Sequence, residues 1–120
     1  MKIAISTRHG GFGLSDKAFE KLLDLKGVLW QRIEDTAKYF SSEYYTAGHL
    51  EEAEHYLSQL DYTDNRDDLD LINVIETMGS ECNTRYSSIK IVEIPDDVDW
   101  YIEEYDGAEW VAEKHRTWHE

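Results

Sequence analysis

The stretch Lys2–Gly27, KIAISTRHGGFGLSDKAFEKLLDLKG, decides the fold, because its apolar spacing changes from one backbone period to another across a glycine-rich loop. Its opening, KIAIS, is short and isoleucine-bearing, with Ile3 and Ile5 two apart and therefore on one face, which predicts a strand. Its close places Phe19, Leu22 and Leu23 at helical spacing; Ser15 stands where an N-cap belongs, Asp16 favours the positive end of the helix dipole, and Gly27 is a natural stop. Between the two, RHGGFG sets Arg8, His9, Gly10, Gly11, Phe12 and Gly13 beside a helix N-terminus, where free backbone N–H groups can meet an anion.

Outward from this unit, Val28–Ile33 is β-branched and aromatic enough for a second strand. Residues 34–62 mix two patterns. Tyr39, Phe40, Tyr44 and Tyr45 suit a strand, while Leu50, Ala53, Leu57 and Leu60 recur at three- or four-residue steps. The spacing predicts a short helix from about His49 to Leu60, with a strand around His55–Tyr62 as the alternative. TDNRDDLD then supplies caps, and Leu69, Ile72, Val74, Ile75 and Met78 define a second amphipathic helix ending at Gly79. SECNTRYS is polar and turn-like, and Ser88–Ile94 reads as a strand. After the turn at Pro95-Asp96-Asp97, Val98, Trp100 and Ile102 alternate with polar positions, Asp106-Gly107 signals a hairpin, and Trp110–Lys114 returns antiparallel. The expectation is a single α+β domain over residues 1–120: a mixed or mostly antiparallel sheet of about four to five strands with two to three helices packed on it.

Composition narrows the function. Twelve Lys and Arg against 26 Asp and Glu give a formal charge of -14, so direct nucleic-acid or anionic-membrane binding is unfavourable. A solvated acidic surface and an acidic face offered to a basic partner remain the two readings of that charge. No apolar run approaches the roughly 20 residues a bilayer span needs, and Met1 leads into a strand pattern rather than a leader, which predicts a soluble, intracellular protein. Cys82 is the single cysteine, which suits a reducing compartment and precludes an intrachain disulfide.

Two stretches carry candidate chemistry. RHGGFG offers backbone N–H groups and Arg8 to an anion, but it lacks the lysine and Ser/Thr of a nucleoside-triphosphate loop and the six-residue dinucleotide pattern. A tight turn whose Phe12 plugs the core explains the same residues. EKHRTWHE gathers His115, Arg116 and Trp118 in a region where carboxylates are otherwise opposed only by Lys114. An arginine beside a tryptophan supplies charge-assisted hydrogen bonds and a stacking plane, as an anionic nucleotide requires; a frayed end with one buried tryptophan is the plainer account. His115 and His119 share helical spacing, but the region reads as strand and tail, so no metal site is expected. Ser6 or Ser15 with His9 lacks a nucleophile-elbow pattern, Cys82 reads as a packing residue, and no catalytic group and no cofactor are expected.

The opening MKIAISTRHGGFGLSD, the helix DLDLINVIETMG and the closing KIVEIPDDVDWYIEEYDGAEWVAEKHRTW resemble a family of small proteins encoded by tailed bacteriophages. The resemblance covers the two ends and that helix, not Val28–Leu60. It implies a protein of the host bacterial cytoplasm that serves host takeover or escape from bacterial immunity. Two mechanisms fit that context. One is a sponge that holds a nucleotide-derived immune signal, of the cyclic oligonucleotide or cyclic ADP-ribose type, without cutting it; Arg8, His9 and the Gly10–Gly13 backbone take phosphates, Phe12 or Trp118 stacks, and His115 and Arg116 add donors. The alternative is an acidic, nucleic-acid-mimicking inhibitor of the anti-CRISPR kind that binds a basic host defence nuclease. A hydrolase of the same signal, with His9 and His115 as acid and base, ranks third. A homo-oligomer is expected, since 15 aromatics in 120 residues leave material for an apolar interface.

Overall fold

The computed structural model describes residues 1–33, 43–46 and 56–114. It has the α+β class that the sequence pattern implies. In chain order it runs β1 (Lys2–Ser6), α1 (Asp16–Leu25), β2 (Trp30–Ile33), β3 (Glu43–Thr46), β4 (Tyr56–Leu57), α2 (Gln59–Thr63), α3 (Leu69–Met78), β5 (Ile89–Glu93), β6 (Trp100–Tyr105) and β7 (Ala108–Glu113). Every described strand pair is antiparallel. The strands fall into three ladders: β1 with β5, β2-β3-β4, and the hairpin β6 with β7.

Local rules account for most of these boundaries. Ser15 caps α1 by accepting from the Ala18 N–H, and Asp68 caps α3 by accepting from the Leu71 N–H. Gly27 and Gly79, both at positive φ, follow the two helices. The helix expected at about His49–Leu60 requires correction in its described part: Tyr56–Leu57 is a strand and the helix begins only at Gln59. Residues 49–55 lie outside the described residues. The three- and four-residue steps misled because Leu57 belongs to the strand, packing partly buried against the core, while Leu60 is exposed on the following helix.

The core sits between β1, α1 and α3. Ala18, Phe19, Leu22 and Leu23 of α1 meet Leu71, Ile72, Val74 and Ile75 of α3, with Ala4, Leu14, Cys82 and Ile89 closing the cluster. Phe19 also packs against Tyr62, ring centroids 5.9 Å apart, which ties α2 to α1. Each large side chain so buried contributes roughly 1.5–3 kcal/mol. Cys82 belongs to this packing; burial, then the Glu81 charge, pushes its thiol pKa up. It should label with a thiol reagent such as DTNB only as fast as the protein unfolds; rapid native-state labelling would contradict the burial.

Strand β1 is buried along Ile3–Ser6, and among the described strands only one of its edges pairs with a strand, β5. The other edge is occupied by Arg66 and Glu109. The Ala4 N–H donates to the Arg66 carbonyl (2.8 Å), the Arg66 guanidinium donates back to the Ala4 carbonyl (3.3 Å), and the Ser6 N–H donates to Glu109 Oε1 (2.8 Å). Arg66 grips Glu109 with both terminal nitrogens, at 2.7 and 2.9 Å, with side chains only 17% and 10% exposed. This pair closes an open strand edge and fastens the β6–β7 hairpin to β1. Arg66→Met or Glu109→Leu alone should lower stability by roughly 3 kcal/mol, because each leaves a largely buried charge unpaired. The double variant should lose far less than the sum of the two in urea unfolding; simple additivity would show the pair to be uncoupled.

Candidate functional site

The loop between β1 and α1 has an inner side and an outer side. On the inner side its backbone is taken up by the protein. The Thr7 N–H donates to the Ser88 carbonyl, the Gly11 N–H to the Arg8 carbonyl, and the Ser15 N–H to the Cys82 carbonyl. The Gln59 side-chain amide imitates a strand partner for Leu14, accepting from its N–H at 3.0 Å and donating to its carbonyl at 2.9 Å. Ser87 Oγ donates to the Gly13 carbonyl at 2.7 Å and in turn accepts from the Thr84 N–H. These bonds hold the loop in one shape, which is preorganisation for whatever its outer side meets.

Two glycines explain how tightly the loop is clasped. A Cβ on Gly10 would stand 2.0 Å from the Tyr86 carbonyl oxygen, so only glycine lets the loop lie against the Thr84–Ser87 turn. On the far side, Asp106-Gly107 forms the tip of the β6–β7 hairpin with φ of 50° and 88°, the left-handed pair that a two-residue turn needs. A Cβ on Gly107 would come within 2.3 Å of the His9 carbonyl oxygen.

The sequence-derived residues divide accordingly. Arg8, His9 and Gly10 are exposed. Among the described residues, the Arg8 and His9 side chains have no hydrogen-bond or ion-pair partner. Phe12 does not stand out as a stacking platform: it packs against the core, and the Arg66 guanidinium lies 3.9 Å from its ring centroid. Gly11 and Gly13 spend an N–H and a carbonyl, respectively, inside the protein. His115, Arg116 and Trp118 lie outside the described residues. The hairpin tip, not its base, meets the loop, and six-residue β7 carries the chain roughly 20 Å from that tip to Lys114.

Sequence reasoning missed two neighbours of the loop, Arg85 and Tyr86. Tyr86 is 54% exposed and touches Gly10 through its backbone and Cβ; Arg85 is exposed beside it, with no pairing partner among the described residues. The signal was present, since NTRYS holds the same arginine-beside-aromatic pattern that singled out Arg116 and Trp118. Of the other fixed cations among the described residues, Lys2 pairs with Glu76, Lys26 with Asp68 and Asp70, Arg32 with Asp16 and Glu20, and Arg66 with Glu109, whereas the Lys17, Lys21, Lys90 and Lys114 side chains, like those of Arg8 and Arg85, have no ion-pair partner there. The Lys26 pKa is raised chiefly by its hydrogen bond to Asp68. A cleft of about 600 Å³ lies at the Lys2 end of β1, away from the loop, floored by Ile72 and rimmed by the mutually neutralising Lys2 and Glu76. The Met1 ammonium pairs with Asp96 there as well, which leaves the Asp67 carboxylate over, so this cleft is not cationic.

Gly10→Ala and Gly107→Ala should each destabilise by roughly 1–3 kcal/mol, because a methyl group has no room at either contact. Gly13→Ala, at which a Cβ meets nothing within 4 Å, should leave the melting temperature nearly unchanged. Equal losses at all three positions would show that general chain flexibility, not close approach, sets the requirement.

Comparison of the chain with protein-family models, with curated proteins and with solved structures returns no match.

Proposed function

We propose that the chain captures a small, anionic, nucleotide-like ligand on the outer side of its glycine loop. In the tailed-phage setting that its two ends resemble, the ligand is a nucleotide-derived immune signal, a cyclic oligonucleotide or a cyclic ADP-ribose derivative, held intact and so withdrawn from the host. The carrying observation is that the turn bearing Arg85 and Tyr86 closes on the loop bearing Arg8 and His9 at Gly10, with Arg8 and Arg85 unpaired among the described residues of a protein of net charge -14. Arginine guanidinium groups donate paired hydrogen bonds to phosphate oxygens, and an exposed tyrosine ring offers a face to a base. The negative remainder of the surface repels long nucleic acid while leaving a small anion access to the local positive patch.

A second reading, the acidic inhibitor of a basic defence nuclease, draws on the excess of carboxylates along β6 and β7. The two readings place their partners on different surfaces, so mutation separates them. Purified protein incubated with a cyclic dinucleotide, a cyclic trinucleotide or cyclic ADP-ribose, washed, heated and analysed by mass spectrometry should release the bound compound unchanged. An altered product would replace capture with hydrolysis, and no uptake of any of the three would overturn the ligand reading. Arg8→Ala and Arg85→Ala should each weaken uptake about tenfold or more, the loss of one charge-assisted hydrogen bond or more. Melting should stay within about 0.5 kcal/mol of the parent, as for exposed residues without partners.

A further inference from the structure

The β6–β7 hairpin has a second surface, turned away from β1. Glu109 marks the inward face, since it reaches Ser6 and Arg66. Alternation then puts Tyr101, Glu103, Tyr105, Ala108, Trp110 and Ala112 on the opposite face. Three aromatic rings there stay exposed: Tyr105 at 73%, Trp110 at 44% and Tyr101 at 37%. Two of them hold one carboxylate. Tyr101 donates its hydroxyl to Glu103 Oε1 at 2.6 Å, and Trp110 donates its indole N–H to Oε2 at 3.0 Å, so Glu103 is held in place rather than waving in solvent. The same bond raises the Tyr101 pKa, because ionising the phenol would remove the proton that Glu103 accepts.

Among the described residues, strand β6 is also open along one edge. It pairs only with β7 among the described strands, and β7 is the strand that packs beside β1. In a two-residue hairpin the residues flanking the turn bond each other, so Trp100, Ile102 and Glu104 direct their backbone N–H and carbonyl groups away from β7.

We propose that the open edge of β6, with the outward face of Tyr101, Glu103, Tyr105 and Trp110, docks an extended lysine- or arginine-bearing segment of a partner protein. Charge selects this occupant. Asp96 is paired with the Met1 ammonium, but Asp97, Asp99, Glu103, Glu104 and Asp106 follow with no cation in sequence before Lys114, so an anionic lipid or a nucleic acid is repelled. A second copy paired antiparallel about Glu103 would set Glu103 against Glu103, a like-charge contact that opposes that register. A cationic side chain instead lies on the faces of Tyr105 and Trp110 and bonds to the remaining lone pairs of Glu103, while the segment's backbone satisfies the β6 edge. This surface deepens the acidic-face reading and does not rest on the loop reading: the hairpin meets His9 only through the backbone at Gly107, and Tyr101, Glu103, Tyr105 and Trp110 are not among the contacts given for Arg8, His9 or Arg85.

The test uses the full-length protein and two probes, an alternating lysine–valine decapeptide and its glutamate–valine counterpart, followed by backbone amide NMR at low and high salt. The lysine peptide should bind, shift the amides of Trp100, Ile102 and Glu104, and weaken at least fivefold at high salt. Tyr105→Ser should weaken it at least fivefold, and Glu103→Gln should do so with Tyr105 intact; Arg8→Ala should leave it unchanged. Tyr105 is largely exposed, so its variant tests the surface even where Trp110→Ala fails to fold. Equal binding of the glutamate peptide, absence of binding, shifts confined to residues outside the hairpin, or a concentration-dependent dimer formed through the hairpin would each overturn the proposal.

Discussion

A single arginine laid along the open edge of β1 holds three parts of this protein together. Arg66 gives its carbonyl to the Ala4 N–H, its guanidinium to the Ala4 carbonyl and the Glu109 carboxylate, and its flat face to the Phe12 ring. Glu109 completes the arrangement by accepting from the Ser6 N–H. Withdrawing two charges from water is costly, and such a pair is tolerated only when hydrogen bonds meet its donors and acceptors. Here the bidentate geometry and the strand edge supply those bonds. Strand, loop, helix approach and hairpin therefore depend on one another.

The arrangement sets what the glycine loop can do. Phe12, Leu14 and Ser15 face inward and are committed to packing or hydrogen bonds, so the loop is rigid from within. Arg8 and His9 are left outside, with Arg85 and Tyr86 brought alongside by the close approach of Gly10 to the following turn. A rigid base carrying unpaired cationic groups is suited to capture, because little freedom is lost when an anion arrives. The hairpin clasps the loop at its tip, where Asp106 and Glu104 stand, and presents an aromatic face with Glu103 along its length.

Much of this was legible in the amino-acid order. The helices Asp16–Leu25 and Leu69–Met78, the first and fifth strands and the Asp106-Gly107 hairpin all follow from caps, glycine stops and apolar periods, which act over a few neighbouring residues. The middle of the chain was less legible because strand-forming tyrosines and helix-spaced leucines overlap there, and neither period runs long enough to prevail. For the candidate site, Arg8 was identifiable as a cation, and His9 as a polar ring, beside glycines. Phe12 was identifiable only as an aromatic, and its packing beneath Arg66 could not be read from its neighbours.

The sequence by itself determined the elements and the chemistry on offer: a strand, a glycine loop and a capped helix, an acidic hairpin, and a few arginines placed next to aromatic residues. Only the tertiary structure decided which arginines are structural and which are free. Arg66 and Glu109 are 43 positions apart, and the turn that carries Arg85 meets the loop that carries Arg8 where Tyr86 closes on Gly10. Such pairings depend on how whole elements stack, and a stack is selected by burial summed over the core rather than by any local pattern.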